Sequence, residues 1–395
     1  KIKKIMKNTN FYDVCIVGGL GHVGLPLGIL FASKRLKVCL YDVDKHNAQL
    51  VSKGTMPFKE RGTKLLLKKV VESHYLKVFN DPKCISDSKY IIITIGSEYK
   101  NKYSEKNNLI KAIKYLKKYI KKYQIIIIRS SVSPGTCKEI LKLLNKRKDY
   151  HLAYCPERIK QGHSLIELQK LPQIVSGFSK KAIKDSSMLF SKISPTIIKC
   201  DVLEAELIKL FTNSWRYIQF AVSNELYMLC ESLGMNFNSI RKKIIYNYPR
   251  AKNMPTAGFA AGPCLYKDTI HLNNFHNNNF KLGKSAITIN HNLPNFIVKQ
   301  LSKNISLIKK TVGILGMAFK PDIDDSRNSL SYKLEKIIKK YGAKVICSDE
   351  YIKNNKFVTK EELIDKSDII IIGVPHRNYK KLNFKNKKII NIWGH

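Results

Sequence analysis

The stretch Asp13-Val14-Cys15-Ile16-Val17-Gly18-Gly19-Leu20-Gly21-His22-Val23-Gly24 is a short apolar run that leads into a G-x-G-x-x-G turn and then an amphipathic segment reaching about Lys34. It reads as strand, glycine turn, helix. Gly19 permits the tight turn, Gly21 lets backbone N–H groups, with those of His22 and Val23, approach a pyrophosphate, and Gly24 lets the helix pack closely on the sheet. The helix N-terminus favours the anion. The next strand, Lys37 to Tyr41, ends at Asp42, 18 residues beyond Gly24, where a carboxylate can accept from a ribose hydroxyl. That acid points to NAD over NADP. The plainer reading, a turn followed by a solvated Asp, does not account for strand, turn, helix and acid falling in register.

Working outward, apolar runs at Tyr90 to Ile95, Ile125 to Ile128 and His151 to Tyr154 alternate with helical segments near Thr63 to Ser73, Lys106 to Lys122 and Gly135 to Lys146. This is the rhythm of an α/β protein with a doubly wound parallel sheet. Loops at the carboxyl ends of these strands carry small polar residues, Thr94-Ile95-Gly96-Ser97 and Ser130-Ser131-Val132-Ser133-Pro134-Gly135-Thr136, and ligands of such sheets bind at those ends. From Lys310 the opening pattern returns. Thr311 to Gly316 repeats the first strand, and Ala343 to Ser348 followed by Asp349 repeats the strand ending at Asp42. Lys366 to Gly373 echoes Asp87 to Gly96. The second turn, Gly316-Met317-Ala318-Phe319-Lys320-Pro321, lacks the full glycine fingerprint and is expected to bind something other than a dinucleotide. Two Rossmann-like units therefore flank a helical middle, with expected boundaries 1–198, 199–305 and 306–395.

The middle begins with a long helix from near Cys200 past Cys230. Lys209 and Asn213 lie four apart on it and so on one face, able to present an ammonium and an amide to one oxyanion; a solvated Lys is the competing reading. Further on, Gly258-Phe259-Ala260-Ala261-Gly262-Pro263-Cys264-Leu265-Tyr266-Lys267-Asp268 sets one cysteine among small residues that let a backbone approach a ligand, with Lys267 favouring a thiolate. That suits a nucleophile. A free cysteine is otherwise a small buried hydrophobe, so the decision rests on the company Cys264 keeps.

Composition narrows the function classes. With 44% hydrophobic and 26% charged residues, a mean hydropathy of −0.23 and no apolar run near about 18 residues, a globular chain outside the membrane is expected. The basic segment Lys1 to Asn10 reads as a tail before a strand. The nine cysteines lie singly, without C-x-x-C pairs or zinc spacing, which points to a reducing, cytoplasmic setting with no metal. The net charge of +41 suggests anionic partners, but the lysines are spread through the chain instead of forming a stripe. No nucleic-acid motif accompanies them, so no nucleic-acid partner is expected.

In shared order, Val23-Gly24-Leu25-Pro26, Ser131-Val132-Ser133-Pro134-Gly135-Thr136, Pro156-Glu157-Arg158, Ala205-Glu206-Leu207-Ile208-Lys209 with Asn213, the Cys264 loop, Phe319-Lys320-Pro321 and Asp325-Ser326-Arg327 make the chain resemble the UDP-glucose/GDP-mannose dehydrogenase family over nearly its whole length. The resemblance implies four-electron oxidation of a sugar C6 hydroxyl with NAD, through a thiohemiacetal and then a thioester on Cys264. It implies Lys209 and Asn213 as oxyanion stabilisers, with Lys209 a base only in a site that depresses its pKa. Glu157 would activate the hydrolytic water directly or through Ser131, and Asp268 would orient water or Lys209. It implies substrate contacts from Glu157, Arg158, Lys209, Asn213, Arg250, Phe319 and Lys320. Cofactor contacts would come from Gly19, Gly21, His22, Val23, Gly24, Asp42, Thr94, Ser131, Lys267 and Arg327. A homodimer through the long helix is implied as well. Gln161 stands where the UDP-glucose branch carries a second glutamate. Pro156-Glu157-Arg158 and Leu171-Pro172-Gln173-Ile174-Val175 lean toward UDP-N-acetylhexosamines. A single-step hydroxyacid or hydroxyacyl dehydrogenase leaves Cys264 and the third part unexplained, and a dinucleotide sensor leaves Cys264, Lys209 and Glu157 without a task.

Overall fold

The computed structural model describes residues 11–96, 104–144 and 150–394; the basic segment 1–10, Ser97 and the expected helix end at Lys146 lie outside the described residues. They form two compact units, one ending at Leu210 and the other beginning at Phe211, and the boundary falls within the helix Val202–Ser232.

In the first unit eight strands form one sheet: β1 Tyr12–Val17, β2 Val38–Tyr41, β3 Leu76–Phe79, β4 Ser88–Ile93, β5 Ile125–Ile128, β6 His151–Tyr154, β7 Gln173–Gly177 and β8 Ile197–Lys199. Their order is β3-β2-β1-β4-β5-β6-β7-β8. The first six run parallel, which requires both sheet faces to be covered and explains why these strands read as near-continuous Ile and Val. Alternation divides them. Val14, Ile16, Leu40, Ile92 and Ile127 face one core with Leu27 and Phe31 of the helix Gly24–Ser33. Val17, Ile91, Ile93, Ile126 and Ile128 face the other with Leu109, Ile113, Ile140 and Leu144. Each fully buried Ile contributes about 1.5–3 kcal/mol. Beyond the expected pattern the sheet departs from purely parallel: β7 pairs antiparallel with β6, and β8 follows β7 in parallel. β3 and β8 escape a reading by apolar runs because each is short and carries a lysine, Lys77 or Lys199.

The second unit holds a sheet of β9 Thr311–Leu315, β10 Lys344–Ser348, β11 Ile369–Ile372 and β12 Lys388–Ile390, all parallel in the order β10-β9-β11-β12. The order β2-β1-β4-β5 of the first unit recurs here, as the repeated pattern predicts. The helices Phe237–Ile245 and Lys281–Asn304 share one core with this sheet, where Phe237, Leu293, Ile297 and Leu301 pack with Ile314, Leu334 and Ile370. No helix among the described residues is long and apolar enough to cross a membrane.

Candidate active site

In the first unit the switch in strand order falls between β1 and β4, and the carboxyl ends of these two strands carry Gly19, Gly21, His22, Val23, Gly24 and Thr94 of the expected cofactor residues. The glycines are required by space. A Cβ on Gly24 would stand 2.7 Å from the carbonyl oxygen of Gly18 and 2.8 Å from Thr94 Oγ1, and one on Gly19 would stand 2.8 Å from the Ile16 carbonyl oxygen. Gly21 differs, its nearest neighbour being Gly18 O at 3.7 Å, so that position is open toward a ligand. Asp42 Oδ2 accepts from the N–H of Leu20 at 3.1 Å, which couples the acid to the turn. Thr94 donates its hydroxyl proton toward the carbonyls of Val17 and Gly18, at 2.9 and 3.0 Å, and holds the turn from beneath. His22 lies 3.1 Å from Gln161 Nε2 and stacks on Phe58 with centroids 4.0 Å apart. Ser131, half-buried, follows the end of β5. An open glycine turn at a helix start, with an acid at the end of β2, fits the adenosine half of NAD.

Glu157 is buried in a network that sequence reasoning missed. Arg129, at the end of β5 and 2% exposed, donates through Nε to Glu157 Oε2 at 2.9 Å, through Nη2 to the same oxygen, and through Nη2 to Gln173 Oε1 at 2.9 Å. Its guanidinium stacks on Phe190 at 4.6 Å. Glu157 Oε1 accepts from the N–H groups of Arg158 and Ile159 at 2.7 and 3.1 Å. A carboxylate so occupied takes a proton from water only when one of these donors lets go. Arg158 reaches the Pro172 carbonyl at 2.6 Å. The signal for Arg129 was present: a lone charge directly after Ile125-Ile126-Ile127-Ile128 must be paired in the interior. Cys155 beside this network is no rival nucleophile, because burial pushes its thiol up to about 12 against the opposing charge of Arg129.

Lys209 is the last candidate residue of the first unit. It is 8% exposed, with no hydrogen bond or ion pair recorded among the described residues. The turn before it is anchored by Glu206, which is buried and caps the helix Thr136–Leu144 by accepting from Gly135 and Cys137 N–H at 2.6 and 2.9 Å.

In the second unit Cys264 is exposed and stands at the N-cap of the helix Leu265–Phe275. Seven of the other cysteines are buried and Cys200 is half-buried. A thiolate at a helix N-terminus is favoured by the unpaired N–H groups there. One turn on, Asp268 is fully buried; its Oδ2 accepts from Asn213 Nδ2 at 2.6 Å, and its Oδ1 is unpartnered. The spacing of Lys209 and Asn213 in one helix holds, as both lie in Val202–Ser232. The loop before Cys264 is clamped by residues that no motif announced. Asn224 exchanges hydrogen bonds with both backbone groups of Gly258, at 2.8 and 3.0 Å, and donates to Asn290 at 2.8 Å. A Cβ on Gly258 would meet the ring of Trp393, and one on Gly262, at φ +97°, the ring of Phe319. Phe319 carries Lys320 Nζ 5.7 Å from its ring centroid. Lys267 is buried. Arg327 makes a bidentate pair with Asp325, at 2.6 and 3.0 Å. Arg250 donates to Tyr248 Oη within its own turn at 2.8 Å.

Comparison with known proteins places the chain in a family. The NAD binding domain of the UDP-glucose/GDP-mannose dehydrogenase family matches residues 12–194, its central domain 203–292 and its UDP binding domain 313–391. A UDP-N-acetyl-D-mannosamine dehydrogenase of Campylobacter jejuni is 27% identical over 97% of this chain and 99% of its own. The solved UDP-D-ManNAc dehydrogenase of Pyrococcus horikoshii superposes with a TM-score of 0.89 at 25% identity, over 97% of this chain and 99% of its own. A UDP-glucose dehydrogenase of Pyrobaculum islandicum gives the same TM-score at 20% identity over 97% and 94%, a likeness of fold.

Proposed function

Because this chain belongs to the UDP-glucose/GDP-mannose dehydrogenase family, and is on that ground an NAD-dependent nucleotide-sugar dehydrogenase acting on a UDP-sugar, we propose that it oxidises the C6 hydroxyl of a UDP-N-acetylhexosamine to a carboxylate while the sugar is held on Cys264. The observation that carries this reading is Cys264 itself, the exposed thiol at a helix N-terminus, one turn from the buried Asn213–Asp268 pair. The likeness to UDP-N-acetyl-D-mannosamine dehydrogenases supports the sugar class. The division at 198 and 305 belongs to the same proposal, as does a cytoplasmic setting.

Gly19, Gly21, Gly24 and Asp42 would hold NAD, which would supply the hydride acceptor. Once C6 has given up a hydride to the bound acceptor and its hydroxyl proton to solvent, the Cys264 thiolate adds to C6 of the resulting aldehyde, forming a C–S bond and leaving a negative oxygen. Asn213, oriented by its bond to Asp268, has a second Nδ2 hydrogen to give that oxygen, and the Lys209 ammonium acts on it as a charge. Loss of the second C6 hydride to the bound acceptor leaves a thioester; water attacks its carbonyl carbon, the C–S bond breaks, and the thiolate returns. Glu157 serves as base for that water by exchanging one of its N–H donors for the proton, with Ser131 relaying. Lys320, Phe319, Arg158 and Arg250 are assigned to the nucleotide-sugar, and Lys267 and Arg327 to the cofactor.

Two NADH per sugar, about two by this mechanism, are expected from the unsubstituted protein, and Glu157→Gln should accumulate a thioester seen as added intact mass. A ratio near one with free aldehyde, together with unchanged turnover in Cys264→Ser, would overturn the assignment. We assign a homodimer to the apolar stripe Phe211, Trp215, Val222, Leu226 and Leu229, exposed along one helix. Sedimentation should give twice the chain mass of 45.4 kDa, and a monomer at micromolar concentration rejects the assignment.

A further inference from the structure

Cys15, Cys39 and Cys84 are far apart in sequence, yet their sulfurs lie within 4.8 Å of one another and all three are buried. Parallel pairing makes this happen. Cys15 and Cys39 are directly opposed in β1 and β2, both point to the face that carries Val17 and Ile91, and the short 3-10 helix Pro82–Asp87 brings Cys84 over them. Ser88 Oγ stands 3.4 Å from Cys39 Sγ. In the pyramid that a trivalent centre with a lone pair adopts, three sulfurs bound at about 2.3 Å stand about 3.5 Å apart, so the cluster closes on one ion by side-chain rotations that bring the sulfurs about 1 Å closer than their present limit of 4.8 Å.

Charge decides which ion. Lys83 and Lys121 flank the turn, but each faces an acid, Asp81 at 3.8 Å and Asp87 at 3.6 Å, and all four side chains are largely exposed. They offer the sulfurs no buried counter-charge. Three thiolates around a monovalent or divalent ion leave a net negative charge in the interior, which is costly. A trivalent centre leaves none. We propose that Cys15, Cys39 and Cys84 form a capture site for a trivalent thiophilic metalloid, with arsenite as its simplest form. Three S–H and three As–O bonds break, three As–S bonds form, and three waters leave; neither sulfur nor arsenic changes oxidation state. Cys84, the least buried of the three at 6%, is the point of entry. Capture turns the side chains of Cys15 and Cys39 on the paired strands β1, which runs into the glycine turn, and β2, which ends before Asp42, so occupancy should weaken NAD binding.

The test uses the full chain carrying Cys264→Ser, which removes the exposed thiol, titrated with arsenite under a thiol-free reductant. One arsenic per chain by intact mass is expected, with loss of that adduct in Cys39→Val and retention in the control Cys347→Val. NAD affinity, read by fluorescence, should fall on arsenite addition only where Cys39 is present. In a parallel measurement without substitution in the cluster, alkylation after denaturation should find Cys15, Cys39 and Cys84 protected together, which decides the matter if Cys39→Val does not fold. No bound arsenic, or an adduct that maps elsewhere, overturns the proposal.

Discussion

The two sheets carry the same device, a glycine turn after one strand and an acid at the end of the next, and they use it in opposite ways. Asp42 is half-buried, accepts from Leu20 N–H at 3.1 Å and from Asp44 N–H at 3.1 Å, and has lone pairs left for a ligand. Asp349 is sealed. Its Oδ2 accepts from Met317 and Ala318 N–H at 2.6 and 2.9 Å and from His376 Nε2 at 3.1 Å; its Oδ1 accepts from Tyr351 and Ile352 N–H at 2.8 and 3.0 Å. His376 Nδ1 accepts from Asp322 N–H, so the neutral ring carries its proton on Nε2 and gives it to Asp349. One acid keeps lone pairs unfilled and is assigned to the cofactor; the other is an internal brace for a turn whose next residues, Phe319 and Lys320, are assigned to substrate. An acid at the strand end therefore does not by itself mean a ribose site; what matters is whether the protein has already filled its lone pairs.

The largest effect expected is on stability. Asp349→Ala removes the acceptor from a buried His376 and from buried N–H groups, and should cost about 3–5 kcal/mol in denaturant unfolding; a cost under about 1 kcal/mol breaks the comparison. Acid sharpens it. Burial opposes the charge on Asp349, but the hydrogen bond from His376 and the N–H groups of Tyr351 and Ile352 outweigh it and hold the carboxyl below its ordinary value. The unfolded chain therefore binds more protons, so this stabilisation is present above about pH 4 and is lost as pH falls through the folded value. Asp349→Asn should flatten the acid limb of the unfolding curve.

The smaller effect belongs to Asp42. Asp42→Ala should leave unfolding within about 1 kcal/mol of the parent while raising kcat/KM for NADP relative to NAD by about tenfold, since the repulsion of a 2′-phosphate is removed. A stability loss as large as that of Asp349→Ala, with unchanged cofactor preference, would mean that both acids are braces.

Local chemistry settled much of this protein in advance. Gly19 and Gly24 announce their turn because only glycine fits between neighbouring backbone atoms, and Gly21 stands open between them. Ile125 to Ile128 announces a strand buried on both faces. The exposed role of Cys264 is foreshadowed by the small residues before it. Pairings between distant residues carry no such local mark. Arg129 finds Glu157, Asn224 finds Gly258, His376 finds Asp349, and Cys15, Cys39 and Cys84 converge only because parallel register and a short turn bring them within a few ångströms. Periodicity also passed over β7, whose reversal against β6 depends on pairing rather than composition. Propensity and turn chemistry act over a few residues and can be read along the chain. Which buried charge is satisfied, and by whom, is decided by packing across strands, because burial makes an unpaired group costly only once the fold has closed around it.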